Sequence, residues 1–188
     1  MTRDAAKAAD RAIEPLPDSL VADPLSFFFA EHYRHRQLCH AIDQLAAATF
    51  FDAAAVSEVV DFLRYEAPVH IIDEEEDLFP LLRRRCQPED DLERILGLLS
   101  AEHKADGVLG RQVRQHLEAC LEAREAPGGQ MDRRRDLSQF AAQERRHLAL
   151  ENAIVLPIAR LRLSQEDLKA LSRRLAARRG RVLCEDDR

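Results

Sequence analysis

Four stretches of the chain set residues of one helix face at steps of three and four, and every one of these otherwise apolar stripes turns polar at mid-length. The first reads Leu25, Phe28, His32, His35, Cys39, Ile42, Ala46. The second, less regular, holds Val59, Leu63, Glu66, His70 and Glu74. The third reads Leu92, Leu96, Leu99, His103, Asp106, Gly110, Val113, Leu117, and the fourth Leu137, Phe140, Glu144, His147, Glu151, Ile154, Ile158, Leu161. Local chemistry sets the boundaries. Asp23-Pro24 pairs a capping acid with proline at the first helical position, so a helix runs from there to about Ala48. Asp52 caps a second helix to about Arg85, in which Pro68 and Pro80 each remove an amide donor and predict a kink. A third follows Pro88 to about Arg124, Ala126-Pro127-Gly128-Gly129 makes the clearest break, and a fourth runs from about Met131 to Leu163. Ser164 to Asp167 resembles a capping box and starts a short helix over 165–178, stopped by Gly180. The expected fold is all-α: an antiparallel up-down four-helix bundle over 23–163, a mobile arm without assigned function over 1–22, and a C-terminal helix and tail over 164–188.

Burying an unpaired carboxylate or imidazolium costs several kcal/mol, and a domain of about 5–15 kcal/mol total stability tolerates few of them uncompensated. Something must therefore bind the polar groups of the stripes. A salt-bridge network of protonated histidines would dissolve as pH rises through their pKa values, whereas a metal cation satisfies neutral imidazoles and carboxylates together. Four cysteines stand at 39, 86, 120 and 184 without any Cys-x-x-Cys, so no zinc ribbon or dithiol redox site can be written. With 28 Lys+Arg against 34 Asp+Glu the net charge is −6, which argues against nucleic acid and anionic lipid as partners. The arginine runs at 83–85, 133–135 and 145–146 read as solvated helix faces. No stretch reaches 18 apolar residues and Met1 to Pro17 is polar and charged, so the expected location is the cytoplasm.

The chain also repeats itself. Ala30-Glu31-His32 returns as Ala101-Glu102-His103, and His70-x-x-x-Glu74-x-x-x-x-Phe79-Pro80 returns as His147-x-x-x-Glu151-x-x-x-x-Leu156-Pro157. Residues four apart share a helix face, so each His-x-x-x-Glu turns an imidazole and a carboxylate toward one point, and the doubled pattern describes a pseudo-twofold site. Four His and two Glu suit two metals better than one. With both glutamates bridging and an oxo or hydroxo bridge between the metals, each keeps one position open for water, dioxygen, peroxide or nitric oxide. This mixed ligand set suits iron best, with manganese or zinc as substitutes.

From Leu25 to Pro157 the sequence resembles hemerythrin-like proteins of the HHE cation-binding class, most specifically over His70-Ile-Ile-Asp-Glu-Glu-Glu-Asp-Leu-Phe-Pro80. The resemblance implies a four-helix bundle around a non-haem di-iron centre, with His32, His70, Glu74, His103, His147 and Glu151 as metal ligands. Oxygen-carrying members have two ligand histidines four apart on the third helix and His-x-x-x-x-Asp on the fourth. Here Leu99 and Gly107 flank His103, and the fourth helix has His-x-x-x-Glu. The four-His, two-Glu set is closer to iron-sulfur-cluster repair proteins, whose extra N-terminal cysteine module has no counterpart in residues 1–22. The expected function is binding or sensing of dioxygen, nitric oxide or iron by a metal-binding protein rather than an enzyme. The alternatives are a di-iron oxidase or peroxidase, for which Glu144-x-x-His147 supplies one copy of the ferritin-like motif, and cluster repair.

Other polar positions read differently. His35, Asp106, Glu66 and Glu144 lie one turn from ligand histidines and are read as hydrogen-bond partners that orient the imidazoles. His40 and His116 are read as surface residues. Apart from Glu74, Asp73 to Asp77 reads as a solvated acidic run.

Overall fold

The computed structural model describes residues 12–183, and among them every regular element is helical. Helix α1 spans Pro24–Ala47, α2 runs over 53–85, α3 spans Leu92–Ala123, α4 runs over 131–162 and α5 spans Gln165–Arg178. The starts are made by the residues the sequence singled out. Asp23 accepts the Ser26 N–H and hydroxyl at 3.2 and 2.7 Å, and Asp52 accepts the Ala54 and Ala55 N–H groups at 2.9 and 3.1 Å. No helix of the described residues is long and apolar enough to cross a membrane.

The prolines stand within helices that continue past them. Pro68, Pro80 and Pro157 each follow a π turn, over Phe62–Glu66, Asp73–Leu78 and Glu151–Val155. The residue before each proline reaches back five positions: Ala67 N–H to Phe62 O, Phe79 N–H to Glu74 O, Leu156 N–H to Glu151 O. A proline ring would press on the carbonyl four residues back and offers it no donor, so widening the preceding turn accommodates the ring while the chain stays helical. Glu74 and Glu151 occupy the same place in two of these turns.

The chain gathers into two compact units. One takes Tyr33–Ala67, Lys104–Arg146 and the described residues up to Pro15; the other takes Leu16–His32, Pro68–His103 and the described residues from His147 onward. Leu38, Ile42, Val56, Val59, Phe62, Leu117, Leu137 and Phe140 pack the core of the first. Within it Gly128 is pressed against backbone: a Cβ there would lie 2.5 Å from Ala48 O and 2.6 Å from Ala46 O. Carbonyl oxygens cannot step aside as a side chain can, so Gly128→Ala is expected to cost about 1–3 kcal/mol in a urea unfolding titration.

Phe27, Phe28, Leu78, Phe79, Leu82, Leu96, Leu99, Leu171 and Leu175 pack the core of the second. Part of the expected N-terminal arm, residues 1–11, lies outside the described residues, as does Cys184. Within the rest, Ile13 is buried in the first core and donates its N–H to Glu58 at 3.1 Å, while Val21 is buried in the second.

Ser164 and Asp167 cap α5 reciprocally, and Arg85 grips Asp167 with two hydrogen bonds of 2.8 and 3.0 Å. Gly180, at φ 69°, closes the helix by letting Arg181 N–H reach Ala176 O at 2.9 Å. Hydrogen bonds from Arg85 and Ser164 hold the Asp167 carboxyl down from 3.8 to about 2. A carboxyl that is more acidic folded than unfolded contributes stability that is complete above its unfolded pKa and lost as pH falls through the folded one. The urea midpoint of the native protein should therefore exceed that of Asp167→Asn at about pH 5 and lose this advantage between about pH 4 and pH 2.

Candidate metal centre

All six residues of the repeated pattern lie in the second unit, and all six are buried. α1 supplies His32, α2 His70 and Glu74, α3 His103, and α4 His147 and Glu151. Glu74 turns Oε1 to His32 Nε2 at 3.4 Å and His70 Nε2 at 3.5 Å, and Oε2 to His103 Nε2 at 3.2 Å. Glu151 turns Oε2 to His32 Nε2 at 3.5 Å and Oε1 to His147 Nε2 at 3.1 Å. Two groups result, His32–His70–Glu74–Glu151 and His103–His147–Glu74–Glu151, each offering atoms within 4.8 Å of one another. Both carboxylates belong to both groups, one oxygen toward each histidine pair.

The outer ring nitrogens are held from behind. His32 Nδ1 donates to Asn152 Oδ1 at 3.0 Å, His103 Nδ1 to Glu75 at 2.6 Å, and His147 Nδ1 to Glu102 at 3.0 Å. His70 Nδ1 faces Glu31 at 3.9 Å. These partners are acceptors, so a neutral ring keeps its proton on Nδ1 and turns the Nε2 lone pair inward. Around that interior Glu74 Oε2, His103 Nε2 and both oxygens of Glu151 are buried and face one another within the cluster. Lone pairs on neutral imidazoles and carboxylates at these separations repel one another, and a shared cation turns the repulsion into binding. The donor set therefore fits a metal. Phe79 stacks on His103 at 5.9 Å between ring centres, and Phe28 lies 6.2 Å from His70, so the wall is apolar.

Protonation reflects the crowding. Burial opposes the charge on Glu74, yet the imidazoles of His70, His103 and His32 hold its carboxyl well below the usual range. Burial, and then the neighbouring Glu74 charge, push Glu151 up. Burial works against protonating His32 and His103, and the facing carboxylates outweigh it, raising both. The two carboxylates thus shift in opposite directions, Glu74 down beside three imidazoles and Glu151 up beside the Glu74 charge.

In outline, then, this is a helical chain with paired imidazoles and shared carboxylates in a closed, cation-attracting interior. It belongs to the hemerythrin HHE cation-binding domain family, whose sequence model matches residues 23–159. A search of curated proteins finds no match for the chain.

His35, Glu66, Asp106 and Glu144 fall in the first unit and in neither four-residue group. There His35 Nδ1 donates to Glu144 at 2.6 Å, and the half-buried Glu66 pairs with Arg34. His40 is exposed, bonded to Gln44; His116 is half-buried, 3.7 Å from Asp136. The acidic run is not solvated throughout: Asp73 and Asp77 are 0% and 3% exposed, bound by Arg174, Arg178 and Arg179 of the C-terminal segment. Sequence reasoning missed Glu31, Glu75, Glu102 and Asn152. The repeat carried the signal: Glu31 and Glu102 directly precede the lone histidines, and Glu75 and Asn152 directly follow the two glutamates.

Proposed function

We propose that the chain holds two iron ions on His32, His70, Glu74, His103, His147 and Glu151 and uses them to bind or sense dioxygen, nitric oxide or peroxide in the cytoplasm. The observation that carries this is the placing of one oxygen of each glutamate on each histidine pair, the arrangement a bridging carboxylate requires. Two groups sharing their carboxylates support a reading with two cations over one with a single cation. The mixed imidazole and carboxylate donors favour iron, with manganese and zinc as poorer substitutes. When bound, such a pair of ions supplies reversible electron transfer to a small oxidant. The protein's own part is to fix the imidazole tautomers from behind and to keep the wall dry with Phe28 and Phe79. Free thiols at Cys39, Cys86 and Cys120 suit a reducing compartment. The architecture that accompanies this reading is the family's antiparallel four-helix bundle with α5 added. Binding is favoured over a ferritin-like oxidase because Glu144, the acid of the Glu-x-x-His copy, accepts from His35 and is in neither group.

Anaerobic loading with ferrous iron tests the reading directly. Two ions per chain and, on exposure to dioxygen or nitric oxide, a charge-transfer band in the near-ultraviolet or visible that persists as a single adduct are expected. Repeated turnover of added ferrous iron would instead establish the oxidase, and the absence of bound metal would overturn both.

A further inference from the structure

The pseudo-twofold repeat breaks at one outer position. The residue after Glu74 is Glu75 and holds His103, whereas the residue after Glu151 is Asn152 and holds His32. Behind the His103–His147 pair therefore stand two carboxylates, Glu75 at 2.6 Å and Glu102 at 3.0 Å. Behind the His32–His70 pair stand a neutral amide and Glu31, whose carboxylate lies 3.9 Å from His70 and also 3.9 Å from the Arg179 guanidinium. The inner carboxylates are common to both groups, so any inequality must come from outside them.

We propose that Glu75 and Asn152 act as positioning residues that make the two cation positions unequal, the position on His103 and His147 being the tighter. The inference rests on the two-cation reading above. An Nδ1–H donated to a carboxylate pushes electron density toward Nε2 and makes the imidazole a stronger ligand; a neutral amide does so less. Arg179 opposes the one anion behind the other pair. Outer partners of this kind change metal affinity by about 10–100-fold, enough to fill the positions in order and to leave a half-loaded form at limiting metal.

Titration of the metal-free full chain with cobalt(II), followed by calorimetry and visible absorption, tests this. Two steps are expected, their dissociation constants at least about 10-fold apart. Glu75→Gln should weaken the first step and alter the spectrum of the first equivalent. Asn152→Asp should tighten the second step and alter the spectrum of the second. Both replacements keep side-chain shape, and either alone reads the effect should the other fail to fold. Two equal steps, or an Asn152→Asp effect confined to the first, would overturn the inference while leaving the two-cation reading standing. Uptake of one cobalt ion or none would overturn both.

Discussion

Glu74→Ala is expected to abolish cation binding at both positions, whereas His103→Ala leaves one. The difference follows from what each side chain spans. Glu74 puts an oxygen on each histidine pair, and His103 belongs to one pair alone. Without Glu74 each position keeps two imidazoles and one Glu151 oxygen, and both lose half of the anionic charge that offsets cation desolvation. Metal analysis after equilibration should fall from two ions per chain to none for Glu74→Ala and to one for His103→Ala. Thermal unfolding gives an independent reading, since a ligand at 100 times its dissociation constant stabilises the folded state by about 2.7 kcal/mol. Added metal should raise the melting temperature of the native protein and leave that of Glu74→Ala where it is. Two ions retained in Glu74→Ala would contradict the shared-carboxylate arrangement.

The second large effect lies at α5. Asp73 and Asp77 are buried on the π turn that carries Glu74, and their counter-charges come from the C-terminal segment. Arg178 binds both carboxylates, Arg179 reaches Asp73 at 2.7 Å while covering the Phe27 ring at 4.5 Å, and Arg174 reaches Asp77 at 2.9 Å. Burial already pushes the Asp73 carboxyl up despite the two guanidinium groups. Removing both partners with Arg178→Ala/Arg179→Ala strands a buried carboxylate, a defect that costs about 3–5 kcal/mol. For a chain of this size each kcal/mol is worth about 2–4 °C, so the melting temperature should fall by roughly 10 °C. Adding Asp73→Asn and Asp77→Asn to the same variant should recover part of the loss, because the stranded charge is then gone. No recovery would mean that the arginines act through their packing instead.

Much of this organisation could be read from residue spacing. Asp23-Pro24, Asp52 and Ser164 start the helices they were expected to start, because capping is local and needs no knowledge of the fold. That His32, His70, Glu74, His103, His147 and Glu151 meet was legible for a different reason: a stripe turning polar at the same depth on four helices has few solutions. The proline turns were legible only in part. A missing donor predicts a disturbance, but whether the helix bends or widens depends on what the neighbouring carbonyls meet. The hydrogen bonds that the ring nitrogens make to Glu75, Glu102 and Asn152 cross from one helix to another, and spacing along a single helix does not reveal them. Long-range charge pairing was the least visible: a run such as Asp73 to Asp77 looks alike whether water or Arg178 and Arg179 receives it.

The four helices that furnish the His/Glu cluster are far apart in the order of synthesis. His32 leaves the ribosome early and Glu151 late, and each half-cluster needs both glutamates. A chain ending after α3 would thus carry three of the imidazoles and one of the two acids. On the proposed two-cation reading, both positions would be complete only once α4 has been made, and the stability that bound metal confers would come with that last helix.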